Sequence, residues 1–536
     1  MILNNIIKME ILQKESKHSS PNKKSCVSCR DPIPSYHPLT LMLLATLLLL
    51  VRCPSSPLIR RLGGPYPCLL EMDALRTELG DRFFFLPSNL RERDMAEHGG
   101  RRWQLVLISS PLQGHMTPML QLGSYLQSKG FSIIFAHSEL NPPDPSNHPD
   151  FIFLPLPDNL SGTGIFSGIN QFLKALNENC RPHLEKHLIQ MINTQKETSE
   201  KESIVIIYDS LMFFAGNLAG DLGLPSIILR SSCAAFLPSY WIIPQLHQEG
   251  RFPEMIPEFH PFRYKDLPFI GLPIQEVLDL IAMINPKIPP SAFICNTLEC
   301  LEQSTLTQIR HHYQVPIFTI GPLHKTSPTP STSFLEEDTS CIPWLDKQSP
   351  KSVIYVSLGS LATIDAKIAT EMAWGIANSN QPFIWVVRPG SVHGCDWIEF
   401  LPEDMVSEMK VRGMIVKWAP QKDVLAHSAV GGFWSHCGWN STLESVCEGV
   451  PMLCQPFSID QMMNARYLSY VWKMGLEMVV EREEIESAIR RVLMSKEGEE
   501  MRRRAMEIEE QVRVAVTHGG SSRNSMNDLV EFILSL

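Results

Sequence analysis

Residues 418–461 decide the fold, and they read WAPQKDVLAHSAVGGFWSHCGWNSTLESVCEGVPMLCQPFSIDQ. Two short apolar runs in this stretch, residues 431–434 and 452–455, are each followed by a polar turn and a helical pattern. Apolar strands that alternate with helices predict a parallel sheet covered by helices on both faces. Because ligands of such sheets bind at the carboxyl ends of the strands, the polar turns are expected to share one site.

The same α/β pattern extends in both directions along the chain. Further strand-like runs occupy residues 103–109, 131–136, 151–156, 204–209, 226–229, 292–296, 317–321, 352–359, 383–388 and 414–418. Helical patterns are expected at residues 117–128, 169–193, 365–379, 440–448, 460–473, 482–494, 496–513 and 521–534. The pattern predicts two doubly wound, Rossmann-like α/β domains in tandem, with their ligand sites facing a shared cleft.

Composition and charge indicate the class of protein, and changes in composition divide the chain into segments. The chain is 44% hydrophobic and 19% charged, which is typical of a soluble globular protein, and its formal net charge of −10 gives no reason to expect nucleic-acid binding. We divide it into an extension (1–94), an N-terminal domain (95–322), a Ser/Thr/Pro-rich linker (323–350), a C-terminal domain (351–515) and a last helical segment (516–536).

Residues 1–94 differ from the rest of the chain. They are net basic and contain one apolar run, residues 39–51, which is shorter than the roughly 18–20 residues of a membrane-spanning helix. We expect Met95 to be the working start and residues 1–94 to be a disordered or non-native extension. The 13 cysteines show no regular framework, which favours reduced thiols and a cytoplasmic protein. Cys26 and Cys29 are the only close pair, and we expect no metal site there.

A helix start inside residues 418–461 is a candidate anion site. Asn440 or Ser441 is expected to cap the helix after the turn that holds His436 and Gly438. The unpaired N–H groups of a helix start favour phosphate, and a glycine lets the backbone approach it closely. Glu444 lies one turn further on, and it could accept a hydrogen bond from a sugar hydroxyl.

Three more residues complete this candidate nucleotide-sugar site. Asp460 and Gln461 follow the next strand and would face sugar hydroxyls from the same edge. Trp418 offers a flat face on which an aromatic base can stack. A single Trp or His in such a stretch is more often part of the core, but so many polar groups at strand ends favour ligand binding.

His115 and Asp209 are the candidate catalytic pair. His115 lies in the expected loop after the first strand, and Asp209 ends the strand IVIIYD. A neutral imidazole can take a proton from an attacking hydroxyl, and a carboxylate on its other nitrogen fixes the tautomer.

Residues 418–461 resemble the signature box of the plant-type UDP-dependent glycosyltransferases of family 1. WAPQ begins the stretch, HCGWNS lies in its middle and DQ ends it, over 44 residues. The resemblance covers nearly everything from Trp103 to the C-terminus. It implies the GT-B fold, an N-terminal acceptor domain, a C-terminal donor domain, and a last helix that packs back on the first domain.

The resemblance also implies a role for each site residue. His115 would be the general base, and Asp209 the acid that orients it. The donor would be held in parts: the nucleoside by Trp418, Ala419 and Gln421, the ribose by Glu444, the diphosphate by Ser360, His436, Gly438, Asn440 and Ser441, and the sugar by Trp439, Asp460 and Gln461. A Gln at the end of the box is associated with glucose donors.

The implied reaction is inverting transfer of glucose from UDP-glucose to a hydroxyl or nitrogen of a small hydrophobic plant metabolite. Apolar segments at residues 112–116, 213–214 and 231–245 would form the acceptor pocket. The branch resembles benzoxazinoid, cytokinin and diterpenoid glucosyltransferases, and a flavonoid acceptor is also compatible. Residues 250–268 and 475–481 look shortened, which puts the acceptor range and the activity in question. We expect a monomer that uses no cofactor or metal ion and does not insert stably into a membrane.

Three alternatives stay open from the sequence. A catalytically impaired UDP-sugar-binding protein would keep the donor box. An NAD-dependent oxidoreductase would need a Gly-rich fingerprint, but the nearest match, Gly162, Gly164 and Gly168, has its last glycine one position too late. A lumenal, membrane-bound transferase would use residues 39–51, but Asn440 would then be a glycosylation acceptor within the donor site.

Overall fold

The apolar runs of the first half of the chain form a seven-stranded sheet. The structure, a computed structural model, describes residues 102–160, 168–198, 202–251, 255–269, 271–327 and 333–536. All neighbouring strands are parallel, in the order β3-β2-β1-β4-β5-β6-β7. They are β1 Arg102–Ser109, β2 Ser132–Ser138, β3 Ile152–Leu156, β4 Glu202–Asp209, β5 Ser226–Arg230, β6 Ala292–Cys295 and β7 Ile317–Thr319.

Helices connect these strands and cover the sheet. They are α1 Gln113–Ser128, α2 Ile169–Thr198, α3 Phe214–Asp221, α4 Ser239–Gln248, α5 Ile274–Ile284, α6 Glu299–His312 and α7 Leu323–Thr326. Val106 and Leu107 are both fully buried, although neighbouring side chains of a strand point to opposite faces. The sheet is therefore covered on both sides, as its continuous apolar strands require.

A six-stranded parallel sheet forms the second domain. Its order is β10-β9-β8-β11-β12-β13. The strands are β8 Val353–Ser357, β9 Phe383–Val386, β10 Gly413–Val416, β11 Val430–Ser435, β12 Met452–Cys454 and β13 Gly475–Glu477. The helices of this half are α8 Cys341–Leu345, α9 Ala366–Ser379, α10 Glu403–Arg412, α11 Gln421–Ala426, α12 Trp439–Cys447, α13 Gln461–Arg466, α14 Arg482–Met494, α15 Lys496–Val516 and α16 Ser521–Ser535.

The last helix packs on the first sheet, although it follows the second domain in sequence. Met526, Leu529 and Ile533 of α16 are fully buried in the apolar cluster that holds Phe318 and Leu323. The apolar face of α16 therefore closes one side of the first sheet.

The predicted fold class, two Rossmann-like domains, is confirmed, and the local differences have physical causes. β13 was not predicted, because its sequence, Gly-Leu-Glu, has a single apolar residue and so shows no apolar run. The helix expected over 460–473 ends at Arg466 and continues as a π-helical turn, Tyr467–Val471. The segment expected as a linker contains the short helices α7 and α8.

Some predictions fall outside the described residues. These concern residues 1–94 with the run at 39–51, Cys26 and Cys29, the start at Met95, and the glycine motif at 162–168 except Gly168. Within the ranges that the structure describes, none of the helices combines the length and apolar character needed to cross a membrane.

Candidate active site

His115 and Asp209 meet at the carboxyl ends of β1 and β4. Nδ1 of His115 lies 2.7 Å from Oδ2 of Asp209. Asp209 is fully buried, and its Oδ1 accepts a 2.8 Å hydrogen bond from the backbone N–H of Leu211. A carboxylate accepts at Nδ1 only when that nitrogen carries the proton, so the pair places the unprotonated nitrogen of neutral His115 at Nε2.

The placement of His115 in a loop was wrong. α1 begins at Gln113, because the backbone N–H groups of His115 and Met116 both bond the carbonyl of Leu112 at 2.9 Å. His115 therefore lies in the first helical turn, which holds its backbone more firmly than a loop would.

Charges around His115 set its basicity. Burial lowers its pKa, whereas the charge of Asp209 and the hydrogen bond to that carboxylate raise it. Asp460 raises the pKa further and Arg230 lowers it, with a net result above the ordinary value of 6.5. Ser231, which the sequence analysis missed, places Oγ 3.0 Å from Nδ1 of His115. The signal was the run Arg230-Ser231-Ser232 directly after an apolar strand.

The helix start in the second domain differs from the predicted one. α12 begins at Trp439 with Gly438 at the N-cap position, and among the described residues no side chain caps it. Ser441 and Asn440, the expected caps, have other partners: Ser441 Oγ accepts a 2.9 Å hydrogen bond from Gln421, and Asn440 donates one of 2.8 Å to the carbonyl of Gly114. The uncapped helix start therefore keeps its unpaired N–H groups and remains a candidate anion site.

His436 lies between two glycines beside this helix start. A Cβ at Gly359 would lie 2.6 Å from the imidazole ring, and one at Gly438 would lie 2.4 Å from Nε2. Gly359 also has a φ of +77°, which favours glycine. Burial lowers the pKa of His436 to about 4, and a hydrogen bond to the backbone of Ser357 offsets part of that fall. The ring is therefore neutral near pH 7, and its one N–H is donated to Ser357. Ser360, half-buried, follows Gly359 in the same turn.

Gln421 connects the residues expected to hold the nucleoside and ribose. Its amide donates hydrogen bonds of 2.9 Å to Ser441 and 2.6 Å to Glu444, and its carbonyl oxygen accepts one of 3.2 Å from Tyr355. Burial raises the pKa of Glu444, and the hydrogen bond from Gln421 offsets part of that rise. The carboxylate of Glu444 is therefore held at the surface of α12.

Trp418 and Ala419 precede α11 in the same region. Trp418 is half-buried, and its indole N–H donates a 3.1 Å hydrogen bond to Ser333, which fixes the plane of the ring. Ala419 is buried beside it.

Of the three residues expected around the sugar, Asp460 and Gln461 have side-chain groups available to a ligand, and Trp439 does not. Asp460 faces the first domain, since it accepts a hydrogen bond from the backbone of Cys233, and burial raises its pKa. Gln461 accepts backbone hydrogen bonds at Oε1 from Phe457 (2.8 Å) and Ser458 (3.2 Å), so its NH₂ group can donate elsewhere. The side chain of Trp439 is buried, and its N–H donates a 2.8 Å hydrogen bond to the carbonyl of Asn296, so that only its backbone could contact a sugar.

The two halves of the site are therefore in contact. Asn440, Trp439 and Asp460 of the second domain each bond the backbone of the first domain. In the described ranges, no three or more His, Cys, Asp or Glu side chains are grouped so that they could hold a metal ion.

Solved structures share this architecture. The structure of TcCGT1 in complex with UDP has a TM-score of 0.67 at 27% identity, and the match covers 81% of this chain and 99% of that one. Os79 from O. sativa in complex with UDP has a TM-score of 0.69 at 24% identity, covers 80% of this chain and 100% of its own, and supports the fold alone.

Sequence comparison gives the family. A profile described as UDP-glucoronosyl and UDP-glucosyl transferase matches residues 335–509. UDP-glycosyltransferase 76H1 of Stevia rebaudiana is 63% identical over 428 residues, which are 78% of this chain and 100% of that protein. The flavonol 3-O-glucosyltransferase UGT76E12 of Arabidopsis thaliana is 43% identical over 82% of this chain and 99% of its own length. The predicted resemblance is confirmed: the chain belongs to the plant UDP-glycosyltransferase family and is a glycosyltransferase.

Proposed function

We propose that the protein transfers glucose from UDP-glucose to a hydroxyl or nitrogen of a small hydrophobic plant metabolite, with inversion at the anomeric carbon. The observation that carries this proposal is the 2.7 Å contact between His115 and buried Asp209. The His115–Asp209 pair lies beside the uncapped start of α12. The hydrogen bond from Asn440 of that helix to Gly114, the residue before His115, connects the two.

The proposed reaction is one displacement. Nε2 of His115 takes the proton of the acceptor hydroxyl while its oxygen forms a bond with the anomeric carbon of the sugar. The bond from that carbon to the UDP oxygen breaks, and its electron pair leaves with UDP. Asp209 stabilises the imidazolium that forms, as the acid of a hydrolase triad does.

The leaving diphosphate gains charge in this step. The positive end of α12 is placed to offset that charge, with His436 beside the helix start and Ser360 on the neighbouring turn. We propose that these groups serve without a metal ion.

The donor sugar would lie between Asp460 and Gln461. Asp460 offers a carboxylate and Gln461 a free NH₂ group, a pair that suits the hydroxyls of a hexose. Together with the resemblance, this arrangement supports glucose. Trp418, Gln421 and Glu444 would hold the nucleoside.

The acceptor would bind against buried apolar residues of the first domain. They include Leu112, Phe214, Phe236 and Tyr240. Such a surface suits a planar body, such as a benzoxazinone, cytokinin, flavonoid or terpenoid. The relative named a flavonol 3-O-glucosyltransferase supports an acceptor of this kind.

We place the protein in the cytoplasm as a monomer. Among the described residues nine cysteines are free thiols, and a glycan on Asn440 would break its contact with Gly114. Every group that the reaction needs comes from one chain.

A glucosylation assay tests the proposed function. The full-length protein would be incubated with UDP-glucose and a panel of neutral phenols, and products would be identified by mass. We expect a gain of one hexose and release of one UDP per product. The alternative of an impaired UDP-sugar-binding protein predicts UDP binding without any product.

A further inference from the structure

Arg230 is a buried cation at the edge of the candidate active site. It is the last residue of β5, and the residue before it, Leu229, pairs with Asp209 on β4. Only 4% of Arg230 is exposed. Burying a guanidinium is costly unless an anion accompanies it.

The partners of Arg230 are neutral. Nη2 donates a 3.2 Å hydrogen bond to the hydroxyl of Tyr240, and the guanidinium lies 5.2 Å from the ring of Tyr240 and 5.7 Å from that of Phe236. Among the described residues, no carboxylate forms an ion pair with Arg230, and its other N–H groups have no hydrogen-bond partner. One hydroxyl and two rings do not use the fork of donors that an arginine presents.

Nearby carboxylates are held by other groups. Asp209 is bonded to His115 and to the backbone of Leu211. Glu302 accepts from the backbone N–H groups of Ala234 and Ala235. Asp460, whose charge also acts on Tyr240, accepts a 3.2 Å hydrogen bond from the side chain of Asn464.

Arg230 is also close to the reacting groups. The hydroxyl of the next residue, Ser231, lies 3.0 Å from Nδ1 of His115. The charge of Arg230 lowers the pKa of His115. Phe236 and Tyr240, the rings around the guanidinium, belong to the segment expected to form the acceptor pocket.

We propose that Arg230 binds a carboxylate of the acceptor, so that hydroxy acids are the preferred acceptors. This inference rests on the proposed function and names its substrate class. The acceptor would place its hydroxyl at Nε2 of His115 and its carboxylate at the unused N–H groups of Arg230, with its apolar body against Phe236. A carboxylate matches the planar guanidinium in two parallel hydrogen bonds.

Matched acceptor pairs test this directly. The kcat/KM with UDP-glucose is measured for para-coumaric acid and for its methyl ester, which has the same hydroxyl without the charge. We expect the acid to be preferred by about tenfold or more, the usual effect of a hydrogen bond to a charged group. Arg230→Gln should bring the acid-to-ester ratio close to one, and Arg230→Lys should keep part of the preference.

The acid-to-ester ratio of kcat/KM does not change when a variant loses activity in general, because both acceptors use the same base and donor. Arg181→Gln is the matched control: Arg181 pairs with Asp221 at 2.8 Å on the outside of the first domain, and its loss should leave the ratio unchanged. If Arg230→Gln does not fold, judged by circular dichroism and thermal unfolding, Arg230→Lys takes its place. Its acid-to-ester ratio should then lie between one and that of the native protein, because an ammonium cannot form the two parallel hydrogen bonds, and an unchanged ratio would count against the inference.

Three results would overturn the inference. They are a ratio in Arg230→Gln equal to that of the native protein, a native preference for the ester, or a glucose ester as the product from the acid, which would put the carboxylate at His115. If no phenol at all is glucosylated, the proposed function fails. Calorimetric titration of the UDP-bound protein with para-coumarate and its ester then still decides whether Arg230 binds the carboxylate.

Discussion

The side-chain amide of Asn440 donates a 2.8 Å hydrogen bond to the carbonyl oxygen of Gly114. In an unbroken helix that carbonyl would accept from the N–H four residues later, but residue 118 is proline and has none. Pro118 thus leaves an acceptor free one residue before His115, and Asn440 at the start of α12 takes it. The candidate base and the candidate diphosphate site are joined by this one contact.

Substitution of Asn440 should weaken donor binding in a charge-dependent way. We expect Asn440→Ala to weaken UDP binding about fivefold to tenfold, since one hydrogen-bonding group is lost. Asn440→Asp should weaken it about 100-fold, because a carboxylate at this helix start repels a diphosphate and cannot donate to Gly114. Calorimetric titration with UDP measures both, and an Asn440→Asp variant that binds UDP as well as the native protein would refute the assignment.

Gly359→Ala should displace the imidazole of His436. Its new Cβ would lie 2.6 Å from that ring, so we expect UDP affinity to fall about tenfold or more, equivalent to about 1.4 kcal/mol. Gly390→Ala is the matched control, because Gly390 has a similar φ of +71° but nothing within 4 Å of the added Cβ. Both variants should lose about 1–2 kcal/mol of stability from backbone strain, and equal UDP affinities in the two would contradict the proposed place of His436.

The pH dependence of transfer should follow His115. Its pKa lies above 6.5 in the folded protein, so the active neutral form is gained, and kcat/KM rises, as the pH increases through that raised pKa. In Asp209→Asn the hydrogen-bonded charge that raises the pKa is lost while burial continues to lower it. We therefore expect the acid limb to move to lower pH and the plateau rate to fall about 100-fold or more. If the acid side of the pH profile of kcat/KM is unchanged in Asp209→Asn, a group other than His115 controls it.

The last helix should contribute strongly to stability. Leu529 is fully buried between α16 and the first sheet, and Leu529→Ala should lower the free energy of unfolding by about 2–4 kcal/mol. Val514→Ala, on the exposed side of α15, should change it by less than about 0.5 kcal/mol. Urea unfolding compares the two, and equal midpoints would show that α16 does not hold the first sheet.

Strong apolar runs predicted most of the fold. β1, β4 and β5 extend by one or two residues beyond the predicted runs, and α14 has the predicted bounds. The start of α1 was missed, because Gly114 and Pro118 look like loop residues, whereas the carbonyl of Leu112 accepts two backbone hydrogen bonds that begin a helix.

The sequence predicted most residues of the site but not the contacts that they make. Sequence patterns favour Asn or Ser as an N-cap, but they could not show that Asn440 bonds Gly114, 326 residues away. In the same way, the role of Trp439 in domain packing depends on a carbonyl of Asn296 in the other domain. Arg230 and Ser231 were overlooked because their closeness to His115 follows from the order of strands in the sheet.

The most direct test of the account is His115→Ala, assayed for glucosyl transfer and, separately, for UDP binding. We predict that transfer falls about 100-fold to 10,000-fold, the usual contribution of a general base, while the dissociation constant for UDP stays within about twofold. His183→Ala, an exposed histidine on α2, should retain full transfer. Full transfer by His115→Ala would contradict the central claim that this imidazole takes the proton of the acceptor.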